Sequence, residues 1–216
     1  MDVEEWGQVD LPGRLYFRRS RPEKPRARLL ALHGYAENPT RILAALARPA
    51  LGRIEVVAPL GPHQFYNRAG EVVGSWMTRF RREDQIDALL RGLERVVAAI
   101  DGADGPLPWF AFGFSQGAAT AHRLRVLSDL PLNRVFALAG DMPPEVRANL
   151  ASRDPRRLDI HWGESDDRVA PAVLQGDVEA YQAAGWPVSG WGWPGGHDYL
   201  PGAVDAIAQQ ILADLD

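Results

Sequence analysis

One serine of this chain has neighbours that suggest chemistry. Within residues 109–124, Ser115 stands between Gly113 and Gly117, after an apolar run and before a stretch with helical spacing. A glycine-rich turn capped by a serine would explain the pattern, and so would a nucleophile on a sharp strand-to-helix turn. On such a turn a side chain at either glycine position would collide with the neighbouring strand and helix. Ser115 is therefore the candidate nucleophile.

A serine nucleophile needs a base and an acid that orients the base. Asp166 lies just past an apolar run in HWGESDDRVAP (161–171), and His197 lies in the glycine-rich segment GWPGGHDYLP (192–201). Serine, then aspartate, then histidine is the order in which triad residues follow a nucleophile elbow. Asp167 stands beside Asp166, so either could be the acid, and Asp166 is the one we expect.

Attack by a serine on a carbonyl creates an oxyanion, which backbone N–H groups stabilise. Gln116 follows the serine at the start of the predicted helix, where the helix dipole strengthens the attraction of its N–H for a negative charge. A second N–H would come from Tyr35, directly after His33-Gly34. We interpret His33 as bracing this loop through hydrogen bonds, without a part in proton transfer.

The elements that would position these residues alternate along the chain. Short apolar runs typical of strands buried on both faces lie at 28–34, 53–61, 109–114, 134–140, 158–163 and 188–193. Stretches with helical spacing lie at 41–47, 84–100, 116–127, 144–150, 173–184 and 203–215. This alternation predicts an α/β fold with a mostly parallel sheet covered by helices on both faces. Residues 5–9 and 14–19 flank Pro12-Gly13 and predict a hairpin before the first buried strand.

Five segments, in order LHGYAEN, GFSQGAA, ALAGDMP, GESDDRVAP and GGHDY, resemble the carboxylesterase/phospholipase branch of the α/β-hydrolases. That branch includes small bacterial carboxylesterases and acyl-protein thioesterases, and the resemblance runs from about residue 28 to the C-terminus. It implies Ser115 as nucleophile, His197 as base, Asp166 as acid, and Tyr35 and Gln116 as oxyanion donors. The implied reaction is hydrolysis of a carboxylic ester or thioester through an acyl-enzyme, with no cofactor and no metal.

The chain departs from the branch's pattern at three places. Ala36 stands where a second glycine often follows His-Gly. Trp162-Gly163 precedes the acid in place of His-Gly, with His161 one position early, and Asp167 adjoins the acid.

Substrate choice is expected to depend on the aromatic-rich segment 62–80, because 140–158 is too short to hold a cap domain over the site. The candidate pocket residues are Phe65, Tyr66, Trp76 and Met77, with Met142 and Trp193 in addition. The alternative for the first four is that they cover the core under a long loop. The basic run 79–82 is interpreted as a solvated lead into the helix that follows.

Composition limits the other possibilities. The 216 residues are expected to form a single α/β-hydrolase domain, and a net charge of −4 gives no sign of a nucleic-acid partner. The chain has no cysteine, which excludes disulfides and a thiol nucleophile. We find neither a secretory signal nor an apolar run of about 20 residues, so no membrane span and a cytoplasmic protein are expected.

The expected partner is thus a small acyl ester or thioester, with the oligomeric state unknown. Two alternatives stay open at this point. One is a non-catalytic binding module on a hydrolase scaffold, and the other is a peptidase of the same fold, since fold and triad do not choose the leaving group.

Overall fold

The computed structural model describes residues 13–216, so the predicted strand at 5–9 lies outside the described residues. The strands are β1 Phe17–Arg19, β2 Ala27–Leu32, β3 Ile54–Pro59, β4 His63–Tyr66, β5 Val72–Ser75, β6 Trp109–Phe114, β7 Leu132–Leu138, β8 Leu158–Gly163 and β9 Val188–Trp193. The helices are α1 Pro39–Ala45, α2 Arg82–Asp104, α3 Gln116–Leu127, α4 Pro144–Asn149, α5 Pro171–Ala183 and α6 Pro201–Ala213.

Seven strands form one sheet in the order β1-β3-β2-β6-β7-β8-β9. All neighbours are parallel except β1, which runs antiparallel to β3 with Phe17 opposite Pro59. Every residue of β2, β3, β6 and β8 is buried, which explains why these strands read as continuous apolar runs. The predicted mostly parallel sheet is confirmed.

Two apolar clusters occupy the two faces of this sheet. Alternate residues of β2 divide between them, with Leu30 and Leu32 in one cluster and Leu29 and Ala31 in the other. The first cluster takes residues from α2, α3 and α5, and the second from α1 and α6. The predicted covering of both faces by helices is therefore confirmed.

A two-stranded hairpin occurs where the sequence had indicated only a long connection. Strands β4 and β5 pair antiparallel, with His63 opposite Ser75. The hairpin also binds the loop after β2, because Ala36 N–H donates to the carbonyl of Gly74 at 3.1 Å and Gly74 N–H donates to Glu37 at 2.8 Å. The C-terminal end of the main sheet therefore carries a second, smaller sheet beside the residues predicted to form the site.

The connection from β7 to β8 contains only α4 and a short 3-10 turn, Leu150–Ser152, so no cap domain is inserted there. In the described part of the chain, 13–216, none of the helices has the length and apolar character that crossing a membrane requires.

Candidate active site

Ser115 sits on the tight turn between β6 and α3 with φ 54° and ψ −118°, a conformation that side-chain-bearing residues rarely adopt. The turn leaves no room at the glycines around it. A Cβ on Gly113 would lie 2.2 Å from the carbonyl oxygen of Gly117, and one on Gly117 would lie 2.0 Å from that of Leu32. The steric reason inferred for both glycines is confirmed.

His197 lies between the serine and an aspartate. Its Nε2 is 2.9 Å from Ser115 Oγ, and its Nδ1 is 2.9 Å from Asp166 Oδ2. The three side chains come from the ends of β6, β8 and β9, which meet at one edge because the strands are parallel. The structure thus brings together the three residues that the sequence singled out.

The carboxylate of Asp166 is held on both oxygens. Its Oδ1 accepts the N–H groups of Arg168 at 2.9 Å and Val169 at 3.0 Å, while Oδ2 faces His197. Burial by itself raises the pKa of Asp166, but the two N–H groups and His197 outweigh it, and the net pKa is lowered. Asp167 is exposed to solvent, so of the two neighbouring aspartates it is Asp166 that contacts the histidine.

Aromatic packing and a close backbone approach position the His197 loop. The ring of Phe114 lies 5.2 Å from that of His197 and 4.2 Å from that of Tyr199. The loop passes so close to β8 that a Cβ on Gly163 would lie 2.3 Å from the carbonyl oxygen of Gly196. Gly163 is the one residue of the branch's His-Gly pair that this chain retains before the acid.

The N–H groups of Tyr35 and Gln116 donate to no acceptor within residues 13–216, so both can meet a developing oxyanion. His33 braces the loop below them: its Nε2 accepts the Gly61 N–H at 3.0 Å and its Nδ1 donates to the Gly34 carbonyl at 2.7 Å. Burial lowers the pKa of His33, consistent with the neutral ring that these bonds require. The bracing inferred for His33 is confirmed.

The side chain of Gln116 connects the elbow to the segment after β5. Its Oε1 accepts the Trp76 N–H at 2.9 Å, and its Nε2 donates to Ser75 Oγ at 3.0 Å and to the Met77 carbonyl at 3.1 Å. The side chain is therefore fixed, while the backbone N–H of the same residue stays free of a protein acceptor.

A groove of about 630 Å³ opens beside Tyr35 and Gln116. Two of the six predicted pocket residues, Phe65 and Met77, line it. The ring of Tyr35 is exposed and lies 5.7 Å from that of Phe65, so the two form an aromatic wall.

The other four predicted pocket residues do not line this groove, and for the two that are buried, Trp76 and Met142, the pocket prediction is wrong. Trp76 is fully buried, and its indole N–H donates to the His33 carbonyl at 2.7 Å, so Trp76 belongs to the core. Tyr66 points into solvent with 74% of its surface exposed. Met142 is buried with its N–H bonded to Asp177, and Trp193 donates to His161 Nδ1 at 3.1 Å.

Sequence reasoning also missed three arginines of the groove: Arg79, Arg82 and Arg123. The run 79–82 had been interpreted as a solvated lead into α2, yet two of its members line the groove. Arg123 follows Gln116 and Ala119 at helical spacing on α3, and all three line the groove. That spacing was the available signal.

Comparison with solved structures shows the fold. The chain is similar to esterase PE8 (TM-score 0.76, 19% identity, 93% of this chain and 99% of that one) and to acyl-protein thioesterase 2 of Zea mays (TM-score 0.72, 21% identity, 93% and 99%). It is also similar to TT1662 from Thermus thermophilus (TM-score 0.74, 23% identity, 93% of each chain). No protein-family model and no curated protein matches the chain.

These similarities establish the α/β-hydrolase fold over nearly the whole chain. The resemblance drawn from the five motifs is confirmed at this level, since two of these three neighbours are an esterase and an acyl-protein thioesterase.

Proposed function

We propose that the protein is a serine hydrolase that cleaves carboxylic esters or thioesters through an acyl-enzyme. The observation that carries the proposal is the position of His197, with one ring nitrogen 2.9 Å from Ser115 Oγ and the other 2.9 Å from Asp166 Oδ2. The names of the neighbouring esterase and thioesterase support the same class of reaction.

In the proposed mechanism, Ser115 Oγ attacks the acyl carbonyl while His197 Nε2 takes its proton. Asp166 keeps the proton of His197 on Nδ1 and stabilises the imidazolium that forms. The oxyanion accepts hydrogen bonds from the N–H groups of Tyr35 and Gln116, and one such donor typically contributes about 3–4 kcal/mol in acyl transfer. His197 then protonates the leaving alcohol or thiol, and a water that it activates releases the acid.

A non-catalytic binding module is the less favoured alternative. Such a module would not need the serine in a backbone conformation that costs about 1–3 kcal/mol, nor two N–H donors free of protein acceptors beside it. A peptidase uses the same three groups, so it is separated from an esterase by the substrates that are turned over.

The test is labelling by a fluorophosphonate probe together with turnover of short esters and thioesters. Wild-type protein is expected to be labelled on Ser115, and Ser115→Ala is expected to lose both labelling and turnover. Ser152→Ala, which removes an exposed hydroxyl, serves as the matched control and is expected to keep both. Labelling that persists in Ser115→Ala would move the nucleophile elsewhere. Cleavage of amides at rates comparable to esters would favour the peptidase.

A further inference from the structure

We propose that the groove beside Gln116 selects substrates with an oxyanion, a carboxylate or a phosphate monoester, several bonds from the scissile carbonyl. The inference rests on the proposed esterase function and adds to it the class of substrate. The observation behind it is a set of arginines at the groove, two of them sharing one carboxylate and the third without a protein partner.

The charge at the groove is opposite in sign to that of the chain. Arg79, Arg82 and Arg123 line it, and the acidic side chains beside them are Asp141 and Glu145. Three cations against two carboxylates leave an excess positive charge, although the chain as a whole carries −4. A cleft lined by one sign of charge attracts ligands of the other sign.

Arg82 and Arg123 share the carboxylate of Glu145. Arg82 Nη2 donates to Glu145 Oε2 at 2.5 Å, and Arg123 Nε donates to Glu145 Oε1 at 2.6 Å. The Nη groups of Arg123 have no hydrogen bond to any residue in 13–216, although only 4% of its side chain is exposed. The Nη groups are not among the fully buried atoms of the described residues, so they reach the surface of the groove, where the planar fork of a guanidinium suits a carboxylate or phosphate.

Arg79 supplies the third cation. Its side chain is exposed, and it forms no ion pair or hydrogen bond with any of residues 13–216. An exposed arginine without a structural contact has no role in the fold, so it is free to meet a ligand at the groove that it lines.

The helix α3 sets the distance between the anion and the reacting carbonyl. Gln116, Ala119 and Arg123 lie on one face of α3, and Arg123 is eight positions after Ser115, about 12 Å along the axis. Helical side chains lean toward the helix N-terminus, which brings the guanidinium back toward Ser115. Between the two ends the groove has an apolar wall that includes Phe65 and Met77. An acyl chain of a few carbons ending in an anion matches this order of surfaces.

A purely structural role is the competing explanation for Arg82 and Arg123, since their bonds to Glu145 join α2, α3 and α4. Arg79 separates the two explanations because it makes no such bond. Loss of anion preference in an Arg79 variant would therefore reflect ligand recognition and not a disturbed fold.

The experiment compares kcat/KM for monoethyl adipate and for ethyl hexanoate, which differ only in the terminal group of the acyl chain, a carboxylate in the first and a methyl in the second. An ethyl hexanoate that carries a terminal phosphate monoester separates the phosphate from the carboxylate. For wild type, kcat/KM for at least one anionic ester is expected to exceed that for ethyl hexanoate about tenfold or more, because the anion would accept a hydrogen bond from a charged group. The preference is expected to shrink as salt concentration rises. Arg79→Gln and Arg123→Gln are each expected to reduce this preference severalfold.

Arg91→Gln is the matched control, because Arg91 is an exposed arginine paired with Asp87 on α2 outside the groove. Equal kcat/KM for charged and neutral esters in wild type would overturn the inference, as would an unchanged preference in Arg79→Gln. If Arg123→Gln fails to fold, Arg79→Gln decides. Hydrolysis of ethyl hexanoate without an anion preference would leave the esterase proposal intact. No hydrolysis of any ester, with Ser115 unlabelled by a fluorophosphonate, would overturn both.

Discussion

The hydroxyl of Tyr199 donates to the carboxylate of Glu37 at 2.5 Å, and the same carboxylate oxygen accepts the Gly34 N–H at 2.9 Å. Gly34 precedes Tyr35, a proposed oxyanion donor, and Tyr199 follows His197 by two positions. One carboxylate thereby joins the loop that would stabilise the oxyanion to the loop that would move the proton. Burial and the nearby charge of Glu37 both raise the pKa of Tyr199, so its hydroxyl stays protonated as a donor.

Tyr199→Phe is expected to weaken this connection while keeping the ring packed against Phe114. The lost hydrogen bond to a charged group should lower the free energy of unfolding by about 1.5–3 kcal/mol. A loop displaced by a fraction of an ångström should lower kcat about tenfold, since about 1 Å of misplacement can cost a hundredfold. Urea unfolding and ester turnover measure the two effects. Tyr66→Phe, at an exposed tyrosine, is the control and should change neither. Unaltered kcat in Tyr199→Phe would show that the two loops do not depend on this bond.

The adjacent aspartates allow a matched test of the proposed acid. Asp166→Asn is expected to lower kcat by about 10⁴, because an amide no longer holds the imidazole in the tautomer that accepts the serine proton. Asp167→Asn alters an exposed carboxylate and is expected to leave kcat within about twofold. Steady-state kinetics on one ester with both variants decides the assignment. A larger loss in Asp167→Asn would transfer the role to that residue.

The sequence predicted the parts of the fold whose signal is local. Each of the six parallel strands was placed within two residues at its C-terminal end, and the fully buried ones appear as apolar runs because both faces of the sheet are covered. The burial predicted for 188–193 is wrong, because β9 is the last strand of the sheet and four of its six residues are exposed. Ser115, Asp166 and His197 could be found because each follows such a run. Parallel strands bring their C-terminal ends to one edge, so order along the chain was enough to predict proximity.

The groove could not be predicted in the same way, because side-chain direction in irregular segments depends on tertiary contacts. From the sequence alone, Trp76 and the adjacent Met77 are equally suitable as pocket residues. Only the bond from its indole N–H to the His33 carbonyl shows that Trp76 turns inward. The hairpin of β4 and β5 was missed for a related reason: its strands have four residues each and lack a continuous apolar run. In the sequence, Arg79 and Arg82 have the pattern of ordinary surface charge, and only the tertiary structure places the groove beside them.

Trp76→Ala and Met77→Ala should have opposite effects. Removal of the fully buried indole is expected to cost about 3–5 kcal/mol of stability and to leave the preference among acyl lengths unchanged. Truncation of Met77 at the groove is expected to cost less stability and to shift that preference, since one methylene fitted or excluded is worth about 1–3 kcal/mol. Thermal melts beside a graded series of acyl esters measure both. A changed length preference in Trp76→Ala would return that residue to the pocket.

Two buried histidines predict how stability depends on pH. Burial lowers the pKa of His122 to about 3 and that of His161 to about 4, from 6.5. The unfolded chain therefore binds more protons than the folded one below pH about 6.5, and stability should fall as pH drops toward 4. Each histidine contributes a slope of up to about 1.4 kcal/mol per pH unit in that window.

Urea unfolding of the wild type and two variants between about pH 4.5 and 7.5 measures this slope. His161→Gln should be less stable near neutral pH, with a shallower slope than wild type. His63→Gln, at a partly exposed histidine, is the control for the substitution itself. Identical slopes for wild type and His161→Gln would mean that His161 is not held neutral by burial.

Two helical glycines give a test of the elbow that needs no assumption about substrate. A Cβ on Gly117 would lie 2.0 Å from the carbonyl oxygen of Leu32, whereas a Cβ on Gly176, inside α5, would meet nothing within 4 Å. Gly176→Ala should therefore raise the free energy of unfolding by about 0.5–1 kcal/mol, the ordinary gain of alanine over glycine in a helix. Gly117→Ala should lower it by several kcal/mol or prevent folding, because α3 must move away from β2. Chemical unfolding of the two variants beside wild type compares them directly. If both alanines were equally tolerated, the helix after Ser115 would not be packed against the end of β2, and the proposed oxyanion donors Tyr35 and Gln116 would lose the contact that holds them together.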